Sequence, residues 1–139
     1  METITTRELI FRHNAVYKAL QAPDAFGKAG INFALVDNHK TLASKLESFN
    51  DAEEKLIRKH AVKDENGEPR LVERKNGQRL PQGYLAFQYE DLAAMEEERN
   101  ELLEQKVSVS LLSAPKAMVL SDEGSASSEM IFELDWMFE

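Results

Sequence analysis

The sequence predicts a mostly helical α+β fold. It is a long antiparallel helical hairpin with an exposed β-hairpin at its tip, plus a short C-terminal strand pair and helix. Three observations carry that expectation. Leu35, Leu42, Phe49 and Leu56 recur every seven residues, a spacing that lines one face of a helix. Asn76-Gly77 lies between two short runs and is the preferred pair for a two-residue turn that needs positive φ. Val107, Val109 and Leu111 alternate with Ser108 and Ser110, the period of a half-buried strand.

The elements follow in order. A first helix over 5–22 begins at Thr5, which forms a capping-box pattern with Glu8. Leu9, Ile10, Val16, Tyr17 and Leu20 give it an apolar stripe, and Pro23 stops it. After a connector containing Gly27 and Gly30, a long helix covers 31–62. His39 and Glu53 interrupt its seam, which favours an intramolecular hairpin over an extended rod. Asp64-Glu65-Asn66-Gly67 then makes a turn, and Pro69 prevents the helix from resuming. A β-hairpin over 70–81 pairs Arg70–Lys75 with Gln78–Leu80. A second long helix over 85–106 carries Leu85, Leu92, Met95 and Leu102 inward and a row of glutamates outward. Strands are expected within 107–120, broken by Pro115, and a last helix over 127–138 starts at a serine cap.

The 139 residues suit a single domain. At 42% hydrophobic and 30% charged, the chain has enough apolar material for a core and too much charge for a membrane protein. No apolar run nears the roughly 18 to 20 residues of a membrane helix. METITTRELIF has no basic start leading into an apolar stretch, so no secretion signal is expected. The absence of cysteine excludes disulfides and thiolate chemistry. Together these features predict a cytoplasmic location, and a virion component would share them.

The net charge of −8 is unevenly spread. Residues 1–84 hold 14 Lys/Arg against 12 Asp/Glu, whereas residues 85–139 hold 3 against 13. Phosphate binding needs concentrated positive charge, so direct nucleic-acid binding is not expected. An acidic face either keeps the chain solvated or attracts a basic partner.

Some stretches carry a resemblance. They are Asn38-His39-Lys40-Thr41-Leu42, Lys45-Leu46-Glu47-Ser48-Phe49, and Glu53-Glu54-Lys55-Leu56-Ile57-Arg58-Lys59-His60. Asp64-Glu65-Asn66-Gly67, Glu101-Leu102-Leu103 and Val107-Ser108-Val109 complete the set. From about residue 7 onward the pattern resembles a family of small proteins of unknown function encoded by tailed bacteriophages. Its basic hairpin and Trp136-containing tail depart from that family. In architecture alone, two long helices joined through a β-hairpin are similar to a prefoldin subunit. The phage resemblance implies an accessory protein that binds and modulates or inhibits a host protein. The alternative is a chaperone-like role in tail or capsid assembly. No catalytic residues come with either likeness.

The residues themselves suggest no chemistry. His13, His39 and His60 are widely separated and none belongs to a metal-binding spacing. Glu53/Glu54 and Glu97/Glu101 read as exposed helix surface rather than an acid–base pair in a cleft. Gly27 and Gly30 form no phosphate loop, and Asp64–Gly67 lacks the ligand spacing of a calcium loop. No catalytic residue, metal or cofactor is therefore expected.

Three surfaces remain as partner-binding candidates. One is the basic stretch, with Lys59, Lys63, Arg70, Arg74, Lys75 and Arg79. Another is the acidic helix face, with Glu97 and Glu101. The last is the C-terminal segment, with Trp136 and Phe138, residue types enriched at interfaces. The expected partner is a protein of host or phage, with homo-oligomerisation as a further option.

Overall fold

The computed structural model describes residues 1–73 and 81–139. The protein is mostly helical with a small antiparallel sheet, as the α+β expectation requires. It forms two compact units: Met1–Glu47 with Lys106–Glu139, and Ser48–Gln105.

The first unit opens with strand β1 (Glu2–Thr5) and helix α1 (Thr6–Leu20). Thr5 caps α1 as the sequence pattern demands, its Oγ1 accepting the Glu8 amide at 3.1 Å. Only half of the capping box forms. The Glu8 carboxylate instead accepts from Arg12 Nε at 3.0 Å, one turn along the same helix. Helix α2 (Ala29–His60) follows, 32 residues long. Its N-terminal turn needs an anion to meet its free amides, and Asp122 supplies one. The Asp122 carboxylate accepts from Gly27 N, Lys28 N and Gly124 N at 2.7–3.1 Å. Those backbone donors, Gly27 foremost, hold its pKa below the usual aspartate value. Gly124 is required there, because a Cβ at that position would sit 2.1 Å from the Ala25 carbonyl oxygen.

The core of this unit gathers Leu9, Val16, Ile31, Leu35, Leu42, Val109, Leu134 and Met137. Within it Asn38 is fully buried. Its side-chain amide accepts from Leu112 N at 2.7 Å and donates to Leu112 O at 2.9 Å, copying a backbone pair and leaving no stranded polar atom.

Several sequence expectations are corrected here. Strand β2 (Lys106–Val109) pairs antiparallel with β1, Ile4 opposite Val107, and not with residues 116–120. The inward Ile4 and Val109 side chains give β1 an apolar anchor that an alternation search over 107–120 does not see. Residues 116–120 instead form a short helix, α4 (Lys116–Leu120), led by Pro115 at φ −63°, an angle suited to a helix start. The last helix is also shorter than the expected 127–138. Helix α5 (Ser128–Glu133) is capped by Ser127 Oγ, and a 3₁₀ turn follows over Asp135–Met137. The chain then leaves helical geometry because its backbone pairs elsewhere: Ala114 N donates to Met137 O and Glu139 N to Ala114 O.

The second unit contains the end of α2, a 3₁₀ turn at Gly83–Ala86 and helix α3 (Leu92–Leu103). Helix α3 is shorter than the expected 85–106. Phe87–Tyr89 enter β-bridges, and Asp91 caps the helix through the Ala94 amide at 3.1 Å. Ala61 bridges Tyr89 while Glu53 pairs with Arg99, so α3 returns antiparallel to the end of α2. The helical hairpin is thus confined to the second half of α2. The turn after α2 forms where the sequence places it. Gly67 adopts φ +75°, and Asp64 Oδ1 accepts from Asn66 N and Glu68 N.

The expected hairpin over 70–81 is described only at its start and its last residue. Its turn and return strand, with Arg74, Lys75 and Arg79, lie outside the described residues. The described start of its first strand pairs with 61–63 and with 86–89. Bridges join Ala61 to Tyr89, Lys63 to Pro69, and Leu71 to Phe87. Val62 N donates to Gln88 O, Gln88 N to Arg70 O, and Arg70 N to Val62 O, each at 2.8 Å. Three short segments therefore close a ring in which each pairs with both others, and none is left as a free edge at that point.

Candidate functional site

The closed β-ring positions the most distinctive surface of the second unit. Leu71 bridges Phe87, which fixes both residues' backbones and sets their side chains beside Pro69 and Ile57 of α2. Leu71 remains 58% exposed and Phe87 is half-buried. The result is a shallow apolar groove with Glu54, Arg58 and Glu68 at its rim. Arg58 holds that rim together, with Nη1 3.0 Å from Glu68 and Nε 3.5 Å from Glu54. Those two carboxylates, Glu68 first, raise the pKa of an arginine that is charged in any case.

The second unit also holds an aromatic and ionic cluster around Arg99. The Arg99 guanidinium lies 4.4 Å from the Tyr84 ring centroid and 5.7 Å from that of Phe49, and its Nε pairs with Glu53 at 2.8 Å. Tyr89 donates its hydroxyl to the Tyr84 carbonyl at 2.7 Å. Burial, with the Glu53 charge next, pushes the Tyr89 hydroxyl up to about 12, so it stays a donor at any physiological pH. Arg99, which follows Met95 by one helical turn, is thus a packing residue here.

The sequence-predicted site residues divide by surroundings. Lys59, Lys63 and Arg70 are exposed, and the charge of Lys59 is partly neutralised. Lys59 Nζ pairs with Glu98 at 2.8 Å, and His60 Nε2 lies 3.3 Å from the same carboxylate. The Lys59 hydrogen bond is the main reason that Glu98 has a lowered pKa. Lys63 Nζ donates to the Arg58 carbonyl. Glu97 and Glu101 are exposed one turn apart on α3.

Trp136 and Phe138 do not form an exposed interface. Phe138 is 6% exposed and meets Phe26 edge-on at 6.1 Å, because a small unit needs its large apolar groups inside. Trp136 is half-buried under Arg12, whose guanidinium carbon lies 4.8 Å from the ring centroid. Arg12 is itself buried and binds Glu2 through both terminal nitrogens at 2.8 and 3.1 Å.

Leu71 and Phe87 are absent from the sequence-derived surfaces. They lie sixteen positions apart, and neither belongs to an amphipathic period. The one available signal is Leu71-Val72, an apolar pair within a charged stretch. Among the described residues, no group of three or more His, Cys, Asp or Glu side chains is placed to hold a metal. Among the same residues, no helix is long and apolar enough to cross a membrane. No protein-family model, curated protein or solved structure matches this chain.

Proposed function

We propose that this chain is a non-enzymatic accessory protein that acts by protein–protein interaction, receiving an apolar side chain of its partner in the groove at Leu71. The observation that carries this reading is the exposed Leu71, held beside Phe87 by a closed β-ring and framed by paired charges. A rigid apolar centre with a charged rim is the anatomy of an interaction hot spot. The phage resemblance makes a host-cell protein the proposed partner class, and occupying one of its surfaces the proposed effect.

Affinity capture from host lysate tests this, with the chain as bait and Leu71→Asp as the comparison. The wild type should recover a protein at stoichiometric level, and Leu71→Asp should lose it while melting within a degree or two of the wild type, since Leu71 is mostly exposed. A partner retained by Leu71→Asp overturns the groove, and recovery of no partner overturns the interaction reading. Finding the chain within purified phage particles would favour the assembly role instead.

A further inference from the structure

His13 and His39 are distant in sequence, yet the fold of the first unit brings their rings together. His13 lies on α1 and His39 on α2, with ring centroids 5.2 Å apart and planes inclined by 30°. Tyr17, one turn beyond His13, stacks on it at 6.4 Å and lies 6.3 Å from His39. Both imidazoles are half-buried and Tyr17 is 51% exposed, so the pair sits at the surface and not in the core.

The separation has chemical meaning. Two imidazoles that each give one nitrogen to a tetrahedral ion, at metal–nitrogen distances of about 2.0–2.1 Å, hold their centroids roughly 5 Å apart. The His13–His39 pair already stands at that spacing. Both residues lie within regular helices, with buried neighbours on each: Leu9 and Val16 on α1, Leu35 and Leu42 on α2. Both backbone positions are therefore set before an ion binds, and side-chain rotation is left to aim one nitrogen of each ring at it.

We propose that His13 and His39 form a two-histidine site for a divalent first-row transition ion of the imidazole-preferring class, with solvent completing its coordination. Two protein ligands make an open, exchangeable site, unlike the closed four-ligand sites that drive folding. Zn²⁺ is the natural probe, because imidazole suits it and it carries no redox chemistry. An ion held there ties α1 to α2 and binds only the folded chain, so it raises the melting temperature with concentration.

Calorimetric titration of the full chain with Zn²⁺ at about pH 7.5, alongside melting curves, tests the site. We expect one saturable ion per chain. His13→Ala and His39→Ala should each weaken binding at least tenfold and abolish the shift in melting temperature. His60→Ala, in the other unit, should leave both unchanged. Lowering the pH should weaken wild-type binding, because protons compete with the ion for the ligand nitrogens. If either alanine variant fails to fold, His13→Gln and His39→Gln report the same loss. Absence of saturable binding, or binding that survives both substitutions, overturns the proposal.

Discussion

Arg12 shows how much one residue can join. It extends from α1 to Glu2 of β1, to Glu8 of its own helix and to the face of Trp136, satisfying a buried charge on several sides. Removing a buried charge's partners is costly, because what remains is desolvated and unpaired. The same contacts create a pH dependence. The Arg12 hydrogen bond holds the Glu2 carboxyl below its free value of 4.5. Between that lowered value and 4.5 the unfolded chain binds more protons than the folded one, so this contribution is present above pH 4.5 and is lost as the pH falls. Urea unfolding at about pH 6 and pH 3.5 checks it. The wild type should lose more stability between the two than Glu2→Gln does. Equal losses would show that the pairing adds nothing to acid sensitivity. Thr5 and Gly67 were legible at this scale, since a cap and a left-handed turn depend only on neighbours in the chain. Arg12 was not, because Glu2 lies ten residues away and Trp136 at the other end of the chain.

Among elements, the three-way β-ring is the unusual device. A two-stranded hairpin is marginal in water and exposes two edges. Here 61–63, 69–72 and 86–89 each spend their central hydrogen bonds on both neighbours. Cooperative closure implies that the ring opens as one unit. Native-state hydrogen exchange should find the amides of Val62, Arg70 and Gln88 protected to a similar degree and lost together on mild destabilisation. Widely different protection for the three would mean that the ring is not cooperative. Sequence periodicity assigns 85–106 to one helix because Leu85, Leu92 and Met95 keep helical spacing. The backbone of Phe87–Tyr89 is claimed instead by the ring, and tertiary pairing overrides that local pattern. At 116–120 the deciding feature is local, since Pro115 leads the chain into α4 rather than a strand.

Across the whole molecule, the heptad-spaced seam of α2 divides in burial. Leu35 and Leu42 are fully enclosed in the first unit, while Phe49 and Leu56 are half-buried in the second. Leu42→Ala should therefore cost about 2 to 5 kcal/mol, whereas Leu56→Ala should cost only roughly 1 to 2 kcal/mol, since less apolar surface returns to water. Chemical denaturation of the two variants checks the ranking, and equal losses would contradict the burial difference. The charge division reads similarly. The acidic C-terminal portion is plain in the sequence, but pairing with Glu54, Glu68 and Glu98 tempers the basic stretch at Arg58 and Lys59.

By itself the sequence determined the helical majority, the span of α2, the cap at Thr5, the Asp64–Gly67 turn and the absence of cysteine chemistry. These depend on interactions within a turn or two of chain, or on composition alone. Only the tertiary structure decided that β1 is the partner of β2 and that Phe138 turns inward. It alone placed Leu71 against Phe87 and His13 against His39. Each of those pairings joins residues far apart in the chain. Which of many possible partners is taken depends on how much apolar surface and how many backbone hydrogen bonds the whole arrangement satisfies together.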